Sequence, residues 1–289
     1  MNSLFVQSLK NKLIDSTLKL DSSIVDLIIA ARDKELTKTT RESKSSLVVL
    51  NSILENLKIS KQNKIPMCQD TGMFDVFVDV GRDNKSSLVA IEKAIIESCS
   101  LASEEGFFRK SVVSEPVFDR LNTKNNLPPI ITYNLVDGDK IEINVLLKGF
   151  GSENCCGVKM LNPTVSKEGV IEAVLDIVKK AGGKPCPPIC VGIGLGGTME
   201  RAAYLSKRAL IRDLDIKNTD IRYQELENEL LSKINETQIG AGGFGGVTTA
   251  LFVQIEQEPT HIAGLPLAVS INCWADRKAH FIYEGTLND

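Results

Sequence analysis

The stretch MFDVFVDVG at residues 73–81 decides the kind of fold that we expect from this chain. Apolar residues alternate along it with a second set of mostly acidic ones. The apolar set is Phe74, Val76, Val78 and Val80, and the intervening set is Asp75, Phe77 and Asp79. A period of two is the pattern of a β-strand that has one face in the core. The stretch therefore predicts a half-buried strand.

Helical patterns lie on both sides of this strand. Up to about residue 60, apolar residues recur every three or four positions, in 4–20, 24–31 and 47–57. Further helices are expected near 88–103, within KEGVIEAVLDIVKKAGG at 167–183, and near 199–211 and 224–234. In the second of these, Gly182 is the expected C-cap. A short strand with a glycine turn, CVGIGLGG, precedes the helix near 199, and the last third of the chain returns to strands.

Two β-rich runs, IITYNLV at 130–136 and KIEINVLL at 140–147, flank Asp137-Gly138. An Asp-Gly pair between two such runs is typical of a tight hairpin. The sequence therefore predicts a second antiparallel element in which these two strands pair directly.

These elements mix helices and strands without a regular βαβ alternation, a fixed-period repeat or a long linker. We therefore predict an α+β fold of helices with largely antiparallel sheets. Residues 1–289 are expected to form a single large domain, with a helical N-terminal region over about residues 1–60.

Composition excludes several classes of function. Lysine and arginine total 34 against 37 acidic residues, and the net charge of −3 cannot support nucleic-acid binding through counterion release. No run of 18 apolar residues predicts a membrane span. The N-terminal stretch MNSLFVQSLKNKLIDSTLKL carries charges throughout and resembles an amphipathic helix rather than an export signal. We expect a cytoplasmic protein.

The chain has seven cysteines, which is an odd number for a disulfide framework. They are Cys68, Cys99, Cys155, Cys156, Cys186, Cys190 and Cys273. Reduced thiols can be small core residues or ligands for a soft metal. Cys68, Cys186 and Cys273 each lie in a loop-like, glycine- or proline-containing segment, so three thiolates from distant parts of the chain could converge. The nearest approach to the C-x2-C pair of a zinc ribbon is Cys186-x3-Cys190, so a structural zinc site is disfavoured.

The glycines Gly192-x-Gly194-x-x-Gly197 offer a rival interpretation. They follow a short strand and precede a helix, and Asp213 and Asp215 come about twenty residues later, as in a dinucleotide-binding fingerprint. Read literally, this pattern predicts an NAD-dependent dehydrogenase. No succession of βαβ units surrounds it, which argues against that function.

Five motifs, in order, resemble the α subunit, or N-terminal half, of the class I fumarase and L-tartrate dehydratase family of iron–sulfur hydro-lyases. They are PMCQDTG, GFFRKSVV, GFGSEN, CPPICVGIGLGGTMERA and GAGGFGGVTTALFVQIEQEPTHIAGLPLAVSINCWADRKA, and the similarity covers about residues 60–280. The resemblance implies a [4Fe–4S] cluster held by Cys68, Cys186 and Cys273, with one iron that lacks a protein ligand. A metal with an open position can polarise the bond to a hydroxide leaving group.

The resemblance also implies the substrate site. Asp70 would take part in proton transfer, and Gln69, Arg109, Gly151 and His261 would bind a C4 dicarboxylate. Without the resemblance, the Gln-Asp-Thr-Gly segment would be a β-turn in which Asp70 bonds its own backbone, and Arg109 would be an ordinary surface charge. A non-enzymatic iron–sulfur scaffold is a further alternative, against which Asp70, Arg109 and His261 argue.

The other cysteines receive no function, and Cys99 is expected in the core. Cys190 could replace Cys186 as a ligand if the local turn differs. Single-chain members of the family continue into a second domain, so a separate β subunit is the expected partner, in a dimer of α–β pairs. Reversible hydration of fumarate to malate is the main prediction, with dehydration of L-tartrate as the alternative.

Overall fold

The computed structural model describes residues 3–288, which form eight α-helices, one short 3-10 helix and eight β-strands. Two four-stranded sheets organise them, in the orders β2-β1-β3-β8 and β4-β7-β5-β6. Four of the six strand pairings are antiparallel. The predicted α+β class with largely antiparallel sheets is therefore confirmed.

The chain divides into two compact units. The first unit contains the residues up to Leu20, Asn56–Phe150 and the residues from Arg277 onward, and the second contains Asp21–Glu55 and Gly151–Asp276. The organisation as a single domain stays a prediction.

The first unit is built around the sheet that contains the opening strand. Its elements are α1 (Ser3–Leu18), the end of α3 (Arg41–Asn63), β1 (Met73–Gly81), α4 (Leu88–Glu105), β2 (Ile130–Val136), β3 (Ile141–Lys148) and β8 (Lys278–Tyr283). Side chains of α1 and α4 pack with alternate residues of β1 and β3 in one apolar core. The predicted helices and the strand at 73–81 are confirmed here.

Strand β1 is buried on both faces, so the prediction of a half-buried strand is wrong in that respect. Val76 and Val78 lie in the apolar core, while Asp75 and Asp79 of the opposite face are also buried. The Asp79 carboxylate accepts a hydrogen bond of 2.8 Å from Nδ2 of Asn134 on β2. Burying a carboxylate is tolerable when it has such a partner, which is why the acidic residues do not mark a solvent face.

The predicted hairpin is wrong, because β2 and β3 do not pair with each other. Strand β1 lies between them, parallel to β2 and antiparallel to β3. The loop that carries Asp137-Gly138 instead crosses the end of β1. There the backbone N–H groups of Gly81, Arg82 and Asp83 donate to the carbonyls of residues 140, 136 and 138. A strand as apolar as β1 is most stable between two neighbouring strands, and β2 and β3 are those neighbours.

The second unit contains the other sheet, flanked by helices. Its elements are α2 (Ser22–Leu36), the first part of α3, α5 (Phe150–Glu153, from Gly151), β4 (Gly157–Leu161), α6 (Lys167–Ala181), β5 (Ile189–Gly197), α7 (Met199–Ile211), α8 (Ile221–Glu236), the 3-10 turn Ala241–Gly243, β6 (Ala250–Thr260) and β7 (Leu265–Asn272). Gly182 is the C-cap of α6 with φ +56°, as predicted.

Glycines of β5 allow helix α7 to lie directly against the strand. A Cβ on Gly192 would stand 2.1 Å from the Ser206 carbonyl oxygen, and one on Gly194 would stand 2.0 Å from the Ala202 carbonyl oxygen. Both glycines lie inside the strand rather than in a phosphate-binding turn. Helix packing therefore accounts for them, and the dinucleotide-binding interpretation loses its structural basis.

None of the helices within residues 3–288 combines the length and apolar character needed to cross a membrane.

Candidate active site

The loop that carries Cys68, Gln69 and Asp70 joins α3 to β1 in the first unit. It is anchored at Met67, whose N–H donates to the Thr17 carbonyl at 2.9 Å and whose carbonyl accepts from Asn56 Nδ2 at 2.7 Å. Met67 itself is buried, while Cys68 is half-buried and Gln69 is exposed. The anchored methionine therefore holds the loop so that the following residues stay accessible.

Both oxygens of the Asp70 carboxylate are hydrogen-bonded to backbone N–H groups. Oδ1 accepts from Gly72 N at 3.0 Å, and Oδ2 accepts from Phe150 N at 2.8 Å. The bond to Gly72 closes the local turn that the Gln-Asp-Thr-Gly segment predicted. The bond to Phe150 comes from the remote GFGSEN segment. Because each oxygen accepts one of these bonds, the pair of N–H groups fixes the orientation of the Asp70 carboxyl group.

A buried arginine supports the same residue. Nη1 of Arg277 donates to the Asp70 carbonyl oxygen at 2.6 Å, and only 1% of Arg277 is exposed. Gly149 lies beside both groups: a Cβ built there would stand 3.1 Å from Asp70 Oδ2 and 3.5 Å from Arg277 Nη2. The guanidinium and the carboxylate therefore both lie beside residue 149, where a Cβ would press on the Asp70 carboxylate by a few tenths of an ångström.

Gly151, which the resemblance implied as a backbone contact, begins the part of α5 that belongs to the second unit. It is exposed, and a Cβ there would meet only the Lys184 carbonyl oxygen, at 3.8 Å. Within the part of the chain described, open space rather than crowding surrounds this position. This open space is compatible with a ligand that approaches the Gly151 backbone. The contact between Gly151 and the substrate stays a prediction.

Arg109 follows α4 in the first unit, and its backbone is held by Asn126. The Asn126 side chain donates to the Arg109 carbonyl at 3.0 Å and accepts from Ser111 N at 2.8 Å. The Arg109 side chain is exposed and makes no hydrogen bond or ion pair with other residues of 3–288. An arginine whose backbone is held in place and whose guanidinium is unpaired can bind a carboxylate.

Two cysteine-bearing loops meet in the second unit. The Cys186 carbonyl accepts a hydrogen bond of 3.5 Å from Trp274 N, and Cys273 precedes that tryptophan directly. Cys273 N donates to Asn272 Oδ1 at 3.1 Å, and the buried Asn272 also donates to Asp276 Oδ1 at 2.7 Å. Cys186 is exposed and Cys273 is half-buried. The fold thus brings the loops of two predicted ligands together.

The remaining cysteines lie in different surroundings. Cys190 is fully buried within β5, and Cys99 is buried in the apolar core of the first unit, as predicted. Burial raises the pKa of the Cys99 thiol, which opposes thiolate formation. Cys156 Sγ accepts a hydrogen bond from Ile271 N at 3.3 Å. Strand burial separates Cys190 from Cys186 and favours Cys186 as the accessible thiol.

The predicted cluster ligands are distributed over both units: Cys68 belongs to the first, and Cys186 and Cys273 belong to the second. Within residues 3–288, neither unit by itself groups three histidine, cysteine or acidic side chains so that they could hold a metal ion. The structure describes all seven cysteines and joins none of them in a disulfide. Three thiols on accessible loops are the donors that an iron–sulfur cluster takes.

His261 lies in the turn between β6 and β7 and is exposed. Its Nδ1 accepts a hydrogen bond from Ala263 N at 3.1 Å, and its carbonyl accepts from Gly264 N at 3.0 Å. A neutral imidazole whose Nδ1 is an acceptor carries its proton on Nε2. The ring therefore offers an N–H donor on its free side.

The glycine-rich segment 240–249 is held by Glu35, which the sequence did not single out. Glu35 Oε1 accepts from Val247 N at 2.7 Å, from Thr248 N at 3.3 Å and from Ser46 Oγ at 3.0 Å. Glu35 is 1% exposed. Its signal was available in the helical pattern, because it continues the buried face of α2 formed by Ile24, Ile28 and Ala31. Arg277 was also missed, although it lies within the WADRKA segment.

The first unit thus carries a loop aspartate held by two N–H groups and an exposed arginine, and each unit carries loop-borne thiols. A family model described as Fumarate hydratase (Fumerase) matches residues 6–282, and the chain belongs to that family. It is thus a hydro-lyase of the class I fumarase and tartrate dehydratase family, and the predicted resemblance is confirmed.

Individual relatives carry a more particular name. The chain is 39% identical over 269 residues, 92% of each chain, to the putative L(+)-tartrate dehydratase subunit alpha of Methanocaldococcus jannaschii. It is 29% identical over 275 residues, 93% of this chain, to L(+)-tartrate dehydratase subunit alpha of Escherichia coli O157:H7, of which it covers 87%. The match to the protein of the same name in Escherichia coli K12 is 28% over 273 residues, with the same coverage.

Proposed function

We propose that this chain is the α subunit of an L(+)-tartrate dehydratase. One observation carries the proposal: the relative named putative L(+)-tartrate dehydratase subunit alpha is 39% identical over 92% of both chains. The alternative substrate of the sequence prediction thereby becomes the preferred one, in place of fumarate. The overall reaction removes water from the 2,3-dihydroxy acid: a proton leaves one carbon and hydroxide leaves its neighbour. The resulting enol then tautomerises to the 2-oxo acid.

In this proposal Asp70 transfers the carbon-bound proton. Its carboxyl group accepts hydrogen bonds from Gly72 N and Phe150 N, which give it a defined orientation. A group that must receive a weakly acidic proton works best when its position is fixed before the substrate arrives. The loop position, beside exposed Gln69, supports access for a substrate.

Binding of the dicarboxylate falls to Arg109, Gln69, His261 and the backbone at Gly151. The guanidinium of Arg109 has no partner among residues 3–288 that a substrate carboxylate would need to displace. The Nε2–H of neutral His261 and the amide of Gln69 add neutral donors, which suit carboxylate or hydroxyl oxygens. In this proposal Arg109 binds one carboxylate of the C4 diacid through its charge, and the neutral donors serve its other oxygens.

We assign Cys68, Cys186 and Cys273 as the ligands of a [4Fe–4S] cluster. The bound cluster would supply Lewis acidity toward the departing hydroxide at an iron without a protein ligand. The loop positions of these residues support the assignment, as does the hydrogen bond between Trp274 N and the Cys186 carbonyl. Cys190 is excluded from the proposed set because it is buried within β5.

A separate β subunit is the proposed partner, and the α–β pairs are proposed to dimerise. The relatives are named as α subunits, which supports a second subunit in the active enzyme. Hydration of fumarate is the second candidate function, and the Fumarate hydratase description of the family model supports it. Both candidates use the same acid–base and cluster residues, so they differ in the substrate alone.

Coexpression of the chain with its β subunit, followed by anaerobic cluster reconstitution, tests the proposal. L-tartrate, fumarate and malate are then assayed in parallel, with formation of the 2-oxo acid as the readout for tartrate. We expect kcat/KM for L-tartrate to exceed that for fumarate by at least about tenfold, the ratio that a difference of 1.4 kcal/mol in transition-state binding produces. Preference for fumarate would establish the second candidate, and inactivity toward all three acids with a full cluster would refute both.

A further inference from the structure

Arg277 has a side chain whose burial calls for an explanation. It is 1% exposed, and its Nε atom is buried without a hydrogen-bond partner in the described chain. An unsatisfied buried donor costs on the order of 1–3 kcal/mol, so stability alone is a poor reason for an arginine here. Its Nη1 and its carbonyl are hydrogen-bonded, to the Asp70 carbonyl and to Leu147 N respectively.

Those contacts close a ring of hydrogen bonds inside the first unit. The Arg277 carbonyl accepts from Leu147 N at 3.0 Å, and Arg277 Nη1 donates to the Asp70 carbonyl at 2.6 Å. Phe150, three residues after Leu147, donates its N–H to Asp70 Oδ2 at 2.8 Å. Arg277 is thus bonded both to the backbone of Asp70 and to the segment that orients the Asp70 carboxylate.

We propose that Arg277 is the positioning residue of the active site: it sets the distance between the Asp70 peptide and the Gly149–Phe150 turn, and so fixes the carboxylate that transfers the proton. The inference rests on the proposed function, because it concerns the same aspartate. Arg277 does not touch the substrate in this account; it acts through Asp70 alone.

The chemistry of the guanidinium explains why an arginine is needed. Its planar fork keeps Nη1 on the Asp70 carbonyl while Nη2 lies beside Gly149. A lysine could reach one of these places with one nitrogen, but it could not hold both in a rigid geometry. Gly149 completes the arrangement, since it has no Cβ to crowd Asp70 Oδ2, which would lie 3.1 Å from one.

The test uses the α–β enzyme with Arg277→Lys, and with Arg212→Lys as the matched control. Arg212 is also mostly buried, but it pairs with Glu227 and Glu256 in the second unit. For Arg277→Lys we expect kcat to fall about 100-fold with KM nearly unchanged, because misplacing a reacting group by about 1 Å has an effect of that order. The deuterium isotope effect on kcat at the substrate C–H bond should rise. Arg212→Lys should change none of these quantities.

Hydrogen exchange followed by mass spectrometry gives a readout that does not depend on turnover. In the cluster-free α–β complex, Arg277→Lys should speed exchange of the peptide containing Phe150 by about tenfold or more, since its bond to Asp70 opens more often. Arg212→Lys should leave that peptide unchanged. An unchanged Phe150 peptide in Arg277→Lys overturns the proposal, whatever happens to kcat. If the wild-type enzyme is inactive but the Arg277→Lys variant still shows faster exchange of the Phe150 peptide, the proposed function is refuted and the positioning role stands.

Gly149→Ala provides a second variant in case Arg277→Lys fails to fold. Its Cβ would stand 3.1 Å from Asp70 Oδ2, so the carboxylate must move by a few tenths of an ångström. We expect a smaller loss of kcat, about tenfold, with the same rise in the isotope effect. Wild-type kcat and isotope effect in Gly149→Ala would overturn the proposal, because the carboxylate position would then not matter.

Discussion

Phe150 N–H donates a 2.8 Å hydrogen bond to Oδ2 of Asp70, a residue eighty positions earlier in the chain. Together with the 3.0 Å bond from Gly72 N to Oδ1, it leaves both carboxylate oxygens bonded to fixed backbone groups. A carboxylate in this setting serves as an oriented acceptor. The relationship turns an ordinary turn aspartate into a candidate acid–base residue.

Asp70→Asn is the direct test of that role. The amide must present its NH2 group to one of the two N–H donors, and it cannot accept a proton, so kcat should fall by about 10²–10⁴-fold. Iron content and the EPR signal of the cluster should stay at wild-type values. Asp83→Asn, an exposed aspartate in the turn after β1, should keep full activity. Near-normal turnover in Asp70→Asn with a complete cluster would remove Asp70 from the reaction.

Substitution of two nearby cysteines should separate ligand from core residue. Cys186 is exposed on a loop, whereas Cys190 is 0% exposed within β5. Cys186→Ser should therefore lose the cluster, measured as iron per α subunit and by EPR. Cys190→Ser should retain the cluster and show a lower melting temperature, because a buried thiol is replaced by a more polar hydroxyl. The opposite result would make Cys190 the ligand.

Glu35→Gln should loosen the glycine-rich segment 240–249. Oε1 of Glu35 accepts from Val247 N and Thr248 N while fully enclosed. Replacing one carboxyl oxygen of this buried side chain by an NH2 group should lower the free energy of unfolding by about 1–3 kcal/mol, measured by urea denaturation. Glu236→Gln, which removes an exposed charge that pairs with Lys233, should change it by less than about 0.5 kcal/mol. Equal effects of the two variants would contradict the anchoring role.

Gly194→Ala tests the packing explanation for the glycines of β5. Its Cβ would stand 2.0 Å from the Ala202 carbonyl, so α7 must move away from the strand. Such overpacking typically costs about 1–3 kcal/mol, which thermal unfolding can detect. Gly264→Ala, where a Cβ would meet nothing within 4 Å, is the control. Unchanged stability in Gly194→Ala together with micromolar NADH binding by the wild type would revive the dinucleotide-binding interpretation.

Local patterns predicted the secondary structure well. The helices, strand β1 and the Gly182 cap follow from the spacing of apolar residues and from turn chemistry, which act within a few positions. Pairing was predicted less well. Asp137-Gly138 indicated a hairpin, but β1 takes the place between β2 and β3, since strand order depends on which apolar surfaces need covering across the whole sheet.

The sequence by itself determined the α+β class, the family through its motifs, and the residue types available for acid–base and thiolate chemistry. Tertiary structure alone decided that Asp70 is bonded to Phe150, that Arg277 is buried beside it, and that Cys190 lies inside a strand while Cys186 does not. The physical reason is the distance along the chain over which each interaction acts. Helix and strand propensities act between near neighbours in the chain, whereas a hydrogen bond across eighty residues exists only after the sheet has brought its two partners together.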